Sequence, residues 1–375
     1  MQPVTATTEA IARAFVPRGG VCDIRPHGRG LINDTYLVAT DDAERPRLIL
    51  QRINRRAFPE PELILANLHV VLDHIRERQR QDRRARDLRF PELCPARDGR
   101  DFVLDADGAL WRALSYLEHT RTFDKPDGLP RAAETGFALG RFHDLVGDLD
   151  PRRLHDTRPD FHNTPRHLER FDRAFAAGGP RPESEELGFC LSFIGARRRH
   201  AGELEAARLR GTLPIRVIHG DPKLNNFLFD ETSGRAVSLI DLDTVKPGLI
   251  HHDIADCLRS CCNRAGESPQ PDEAVRFDLD ICRTLLQHYF DALGDRTAVT
   301  EPDLLYAAIR LIPFELGVRF LTDYLEGSRY FRIDYPEQNL VRATTQLRLS
   351  AEIELFEKEI KGMIRELLRR EAPTA

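Results

Sequence analysis

The sequence predicts a two-lobed α+β fold, with a β-rich N-terminal lobe over residues 1–117 and a mostly helical C-terminal lobe over 118–375. Three observations predict it. The chain has 375 residues, too long for one ordinary domain of roughly 100–200. Short runs with β character crowd its first third, and apolar residues at helical spacing dominate after residue 120. Between residues 215 and 241 β character returns briefly, as an insert in the helical part. A cleft between two such lobes is where a small ligand would bind.

Taken in order, VCDIRPH (21–27) and LINDTYLVAT (31–40) are β-like runs around Gly28-Arg29-Gly30, and LILQRI (48–53) is a third. A helix follows, with Pro59 and Pro61 in its first turn and Leu65, Leu68, Leu72 and Ile75 along one face. Residues 76–89 form a charged, solvated extension or loop. FVLDADGALWRALSYLEH (102–119) reads as two strands joined by a turn at Asp105–Gly108. AETGFALGRFHDLVG (133–147) is helical, 148–168 is a polar stretch, and 183–209 is a second helix. Strands are expected at 215–219, 227–230 and 236–241, then helices at 251–264, 274–293, 302–326 and 339–370.

Composition narrows the function classes. Apolar residues are 41% and charged residues 31%, a soluble globular balance. A net charge of −5 argues against a nucleic-acid partner. The Arg-rich 76–89 stretch is interrupted by Glu77, Asp82 and Asp87 and carries no aromatic residues, so it argues the same way. No apolar run approaches the roughly 18–20 residues that span a bilayer, and the N-terminus lacks the basic start of a secretory signal. No membrane partner is expected, and the cytoplasm is the expected compartment. The 7 Cys are odd in number and scattered, which argues against a disulfide framework. Cys257, Cys261 and Cys262 read as buried small side chains on a helix, since no matching metal-ligand knuckle accompanies them. Lysine occurs only at 125, 223, 246, 358 and 361.

The chemistry lies in IRVIHGDPKLNNFLFDETSGRAVSLIDLDTVKPGLIHHD (215–253). An apolar strand ends at His219. Asp221 follows in a tight loop, with Lys223 and Asn226 two and five positions on. A hairpin then leads to a second apolar run ending at Asp241 and Asp243. Carboxylate and amide oxygens suit a hard Mg²⁺ ion whose other positions go to water and phosphate. Lys223 adds a point charge suited to a phosphate. Together these groups make a phosphoryl-transfer site with Mg²⁺.

HxDxKxxN followed by IDxD resembles the catalytic loop and metal motif of the protein-kinase-like superfamily. Gly220, and ID in place of DFG, resemble its aminoglycoside/choline phosphotransferase branch. Within that branch HGDPKLNNFLFD…LIDLDTVKPG is similar to the N-acetylhexosamine 1-kinase group, as are GRGLINDTYLV with LILQRIN, GVRFLTDYLEGSRYF (317–331) and YPEQNLVRATTQ (335–346). The similarity runs from about residue 20 to about 350.

The resemblance implies a bilobal protein-kinase-like fold and a set of roles. Asp221 would orient the acceptor hydroxyl and take its proton late, and Lys223 would touch the phosphoryl group in flight. Asn226 and Asp241 would hold Mg²⁺ bridging the phosphates of ATP, with Asp243 either a second-metal carboxylate or a support behind the metal ligands. His219 would brace the loop, and Asp253 would pin its backbone. Gly28 and Gly30 would lie over the phosphates through backbone N–H groups. Adenine would sit against Tyr116, Leu117 and Glu118. The superfamily's strand lysine is missing here, because no Lys precedes Lys125. Arg52 is the expected substitute, with Gln51 on the opposite face of the strand. Its carboxylate partner would be Glu60 or Glu62.

The implied acceptor is a small molecule, a free sugar phosphorylated on its anomeric hydroxyl, met by Asn33, Arg319 and Tyr330. Leu31 departs from the family's polar His and puts the N-acetylhexosamine preference in doubt. An aminoglycoside or amino-alcohol phosphotransferase is the alternative, favoured by acids such as Glu315, Asp323 and Glu326. A nucleotide-binding scaffold without transfer activity is a third reading. The oligomeric state is not encoded in any motif of the chain.

Overall fold

Strands near the N-terminus form a mixed-length antiparallel sheet in the order β1 (Val21–Pro26), β2 (Asp34–Thr40), β3 (Arg47–Arg52), β6 (Leu110–Ser115) and β4 (Leu93–Cys94). A short β5 (Val103–Leu104) also pairs with β6, closing the hairpin whose turn has Gly108 at φ +76°. The computed structural model describes residues 3–28, 30, 32–81, 88–178, 184–269, 273–294, 299 and 301–369. Leu31 and residues 82–87 of the Arg-rich stretch lie outside them.

Register decides which side chains reach the cleft. Thr35 pairs with Gln51 and Gln51 with Arg112, so these three share one face of β2, β3 and β6. Arg52 pairs with Trp111 on the other face. That outer face carries a small core of its own, including Tyr36, Val38, Leu48, Leu50 and Trp111. It is covered by α1 (Ala6–Ala14), which contributes Ile11 and Ala12. Helix α2 (Glu62–Gln81) joins the main core through Ile64, Leu65, Leu68, Val71, Leu72 and Ile75. Pro59 and Pro61 stand just ahead of it, not inside its first turn.

After β7 (Thr120–Arg121) the chain is mostly helical: α3 (Leu129–Leu145), α4 (Thr164–Ala176), α5 (Glu185–Arg197) and α6 (Glu203–Leu209). The helix expected over 183–209 is thus two, parted by a 3₁₀ turn at Arg198–His200. The inserted β patch is β8 (Arg216–Ile218), β9 (Phe227–Asp230), β10 (Ala236–Leu239) and β11 (Lys246–Gly248). β8 pairs with β11, and β10, β9 and β7 form a second small sheet. Helices α7 (Ile250–Cys261), α8 (Leu279–Ala292), α9 (Pro302–Leu325), α10 (Gln338–Leu355) and α11 (Glu357–Arg369) complete the chain, the last two parted at Phe356. The fold is α+β, sheet-rich at the N-terminus and helical toward the C-terminus. One continuous core runs through the helical part. Cys257, Cys261 and Cys262 are buried in it as free thiols. Among the described residues no helix is long and apolar enough to cross a membrane.

Candidate active site

The loop between β8 and β9 is held from behind. Asp253, fully buried in the first turn of α7, accepts hydrogen bonds from the backbone N–H of His219 at 2.6 Å and of Gly220 at 2.9 Å. His143 of α3 bridges Asp253 (2.9 Å) and the Tyr289 hydroxyl of α8 (2.9 Å). His219 Nε2 donates to the Ile240 carbonyl at 2.9 Å, while its Nδ1 accepts from Asp221 N–H at 3.3 Å. Those two bonds fix one neutral tautomer. Burial lowers the His219 pKa in the same sense, outweighing the nearby Asp253 and Asp221 carboxylates. Gly220 has φ +87°, and a Cβ there would stand 2.6 Å from the Thr244 carbonyl oxygen. Only glycine fits that turn.

In front of this brace lies a cavity of about 140 Å³, between the cleft face of the sheet and the helices. Asp221, Lys223, Asp241, Asp243, Gly30, Asn33, Arg319 and Tyr330 all line it. Lys223 Nζ bonds Asp221 Oδ2 at 2.6 Å, and Asn226 Nδ2 bonds the Asp221 carbonyl at 2.8 Å. Burial pushes the Asp221 carboxyl upward, but Lys223 outweighs it and holds the group below the usual carboxylate range. Lys223 is raised in turn by Asp221 and Asp241 despite its burial.

Asp241 is different. Burial and the facing carboxylates of Asp243 and Asp221 push it up to about 7. It sits at φ +66°, a strained left-handed position for a non-glycine residue. Among the described residues its carboxylate receives no hydrogen bond. Nor does Asn226 Oδ1. A carboxylate and an amide oxygen thus remain open beside an excess of negative charge, a donor set that fits a hard divalent cation. No group of three His, Cys, Asp or Glu side chains among the described residues is gathered to hold a metal alone.

Two expected assignments are corrected. Asp243 is buried with both oxygens taken: Arg112 donates to one, and Asn33 Nδ2 donates to the other at 2.9 Å. It braces sheet against loop through both oxygens, a support behind the metal set and not its open ligand. Arg52 points away from the cavity, to Asp105 (3.3 Å) and Asp107 (4.0 Å). Neither Glu60 nor Glu62 pairs with it; Glu62 pairs with Arg55. Strand alternation gives the cleft to Gln51, which lines the cavity and accepts from Arg112 at 2.7 Å. Arg112 is the buried cation on that face, and its Nη1 lacks a partner among the described residues.

Gly28 and the 116–118 segment do not line the cavity. Gly28 has φ +71°. Arg47 lies over the Tyr116 ring at 4.8 Å and is paired with Glu118, and the Leu117 carbonyl accepts from Thr120 at 2.7 Å.

The structure also brings in residues that sequence reasoning missed: Thr35, Arg158, His162, Asp256 and Arg259 line the cavity, as do Gln51 and Glu315. Asp256 and Arg259 lie three and six positions after Asp253 on one helix, a spacing that signals a shared face. Arg259 bonds Asp256 at 2.7 Å and Glu267 at 2.8 Å. Glu315 is buried and accepts from Thr164 at 2.7 Å, with His162 and His167 at 3.4 and 3.8 Å.

Residues 23–287 match the phosphotransferase enzyme family. The chain belongs to that family. It is a phosphotransferase acting on a hydroxyl acceptor. Its fold is similar to that of an aminoglycoside phosphotransferase from Alicyclobacillus acidocaldarius, with TM-score 0.60 and 16% identity over 98% of each chain. A microcompartment-associated aminopropanol kinase is similar at TM-score 0.57 and 18% identity, over 93% of this chain and 98% of that one. Spectinomycin phosphotransferase, in complex with ADP and spectinomycin, is similar at TM-score 0.56 and 11% identity, over 94% and 99%. Identities this low carry the fold and not the acceptor.

Proposed function

We propose that this phosphotransferase uses ATP and Mg²⁺ to phosphorylate a free sugar at its anomeric hydroxyl, an N-acetylhexosamine or related hexose. One observation carries it: Asp221, Lys223 and Asp241 share a single cavity with Arg319 and Tyr330. The first three are a transfer set; the last two offer hydrogen bonds to a hydroxyl-rich ring.

Asp221 positions the acceptor hydroxyl and takes its proton as the new O–P bond forms. The bond from the γ-phosphorus to the β–γ bridging oxygen breaks, and its electron pair leaves with ADP. A carboxylate held below its usual pKa is a weak base, which suits late proton transfer in a loose transition state. Lys223 orients Asp221 and faces the phosphoryl group. Asn226 and Asp241 would hold the Mg²⁺, which supplies charge neutralisation for the phosphates. Arg112, behind Gln51, takes the place first given to Arg52 as the sheet's cation. Gly28 and Gly30 would cover the phosphates, and the 116–118 backbone would meet adenine. The division into lobes near residue 117 gives this cleft its two walls.

The named acceptors of the similar folds favour an aminoglycoside or amino alcohol as the second reading. The screen that decides is ADP release over free sugars, amino sugars, ethanolamine, choline and aminoglycosides, followed by phosphorus NMR of the product. An anomeric phosphate is the expected result. A phosphate on a primary alcohol overturns the sugar 1-kinase reading, and ATP binding without ADP formation for any acceptor in the panel favours the silent scaffold. Asp221→Asn should lower kcat by about 10²–10⁴-fold, the span of one general base.

A further inference from the structure

Two guanidinium groups converge on the cavity that Asp221 and Asp241 line. Arg158 comes from the segment ahead of α4 and Arg319 from α9. Their guanidinium carbons lie 4.0 and 4.7 Å from the centroid of the Phe161 ring. Arg158 is also 5.5 Å from the Phe58 centroid, and donates one hydrogen bond to the Tyr330 hydroxyl at 2.5 Å. Arg319 donates none among the described residues. Neither comes within 4.0 Å of a carboxylate there.

Several other arginines with little exposure are answered by acids. Arg112 has Asp243, Arg259 has Asp256 and Glu267, and Arg197 has Glu354. Glu315, one turn before Arg319, is engaged by Thr164, His162 and His167 instead. Burial, and in smaller measure the facing Arg319, bring the Arg158 pKa down to about 10. Two like charges are therefore held near each other facing a cavity, neither of them ion-paired within 4.0 Å among the described residues. Stacking on aromatic faces leaves in-plane N–H groups of both available beyond the one that Arg158 gives Tyr330, the geometry that grips an oxyanion by paired hydrogen bonds.

The geometry points to an acidic acceptor: a sugar bearing a carboxylate or phosphate away from its reacting hydroxyl, with that oxyanion held between Arg158 and Arg319. This rests on the kinase reading above and sharpens its substrate class. The oxyanion is a handle and is not consumed; the transferred phosphoryl still passes to the hydroxyl facing Asp221, whose proton Asp221 takes as ADP leaves. An ammonium acceptor would meet repulsion from the same two groups.

Direct binding and turnover separate this inference from the reading it rests on. Calorimetry on the full chain would compare glucuronate, galacturonate, glucose 6-phosphate and galactose 6-phosphate with glucose, galactose, their N-acetylamino forms and ethanolamine. At least one anion should bind about 10-fold or more tighter than its neutral parent. Whether a carboxylate or a phosphate wins identifies the handle. Arg158→Gln and Arg319→Gln should each weaken that binding by about 10- to 100-fold, as expected for losing a charge-assisted pair. The Lys variants should recover part of it, and unchanged ATP affinity reports that the variants are folded. Equal or weaker binding of every anion overturns the inference, whatever the turnover. ADP release with none of these compounds overturns the kinase reading and leaves the binding result to decide the handle.

Discussion

The choice between Arg52 and Arg112 shows what one position in a strand decides. Gln51 and Arg52 must face opposite ways, and that much follows from strand alternation. Which of the two faces inward depends on register with β2 and β6, and a single sequence does not contain it. A signal was present: Arg112 stands in the otherwise apolar run LWRALS, where a charge has to be answered. Its partners are Asp243, buried as it is, and the half-buried Gln51. Arg112→Met would leave Asp243 charged and buried with Asn33 alone. Breaking one side of a buried pair costs about 3–5 kcal/mol. We expect a clear fall in the thermal midpoint and a raised KM for ATP. Arg52, partly exposed on the outer face, should tolerate Ala with KM and kcat within about 2-fold. Calorimetric scans and initial rates on both variants check this; equal effects would remove Arg112 from the role given to it.

Among elements, the pairing of α3 with α8 matters most for the site. Gly136 and Gly140, one helical turn apart on α3, face the Leu285 and Tyr289 carbonyls of α8. An added Cβ would stand 2.2 Å from the first oxygen and 2.3 Å from the second. Alanine gains up to about 1 kcal/mol in helix propensity over glycine. The clash is with backbone, which yields only if the helices part, and overpacking of that kind costs about 1–3 kcal/mol or more. Clash therefore wins, and Gly140→Ala should lower the thermal midpoint by several degrees. Because Tyr289 supports His143 and His143 supports Asp253, kcat should fall as well. A stabilised Gly140→Ala protein would show that the helices are not in such close contact. Long helices with strong periodicity, such as α2, α7, α8 and α9, were legible in the sequence, as was the strand–loop–strand around Asp221. Two helices were not. Helix α1 begins with a Thr5–Thr8 capping box, and α4 begins at Asn163 with Pro165 in its first turn. Their cap signals were present, but α4 is so charged that its polar face hid the buried Leu168, Phe171 and Ala174. Arg158, in the stretch before it, went unread for the same reason: nothing local marks an arginine that tertiary packing places in a cavity.

Over the whole molecule, acid should be the condition that undoes the fold, and buried histidines are the cause. His251 is buried with neither ring nitrogen hydrogen-bonded among the described residues, and desolvation lowers its pKa to about 4. Burial also lowers His252 and His219. Each ring is neutral when folded and takes up a proton near pH 6.5 once unfolded. Between that value and the depressed folded one, the unfolded chain binds more protons, so stability rises with pH there. It is complete above about pH 6.5 and is lost as the pH falls toward 4, with His251 alone accounting for ~3 kcal/mol at the low end. Glu315, held down at about 2 by His167 and His162 against its own burial, extends the loss below pH 4.5. His251→Phe separates this from general acid sensitivity. It removes two unanswered polar atoms from the core and cannot take a proton. Urea midpoints for the variant at pH 7.5 should match or exceed those of the parent, and the drop between pH 7.5 and 5 should be visibly smaller. The same drop in both proteins would mean that His251 finds a partner on folding, and that the acid sensitivity of the chain comes from elsewhere.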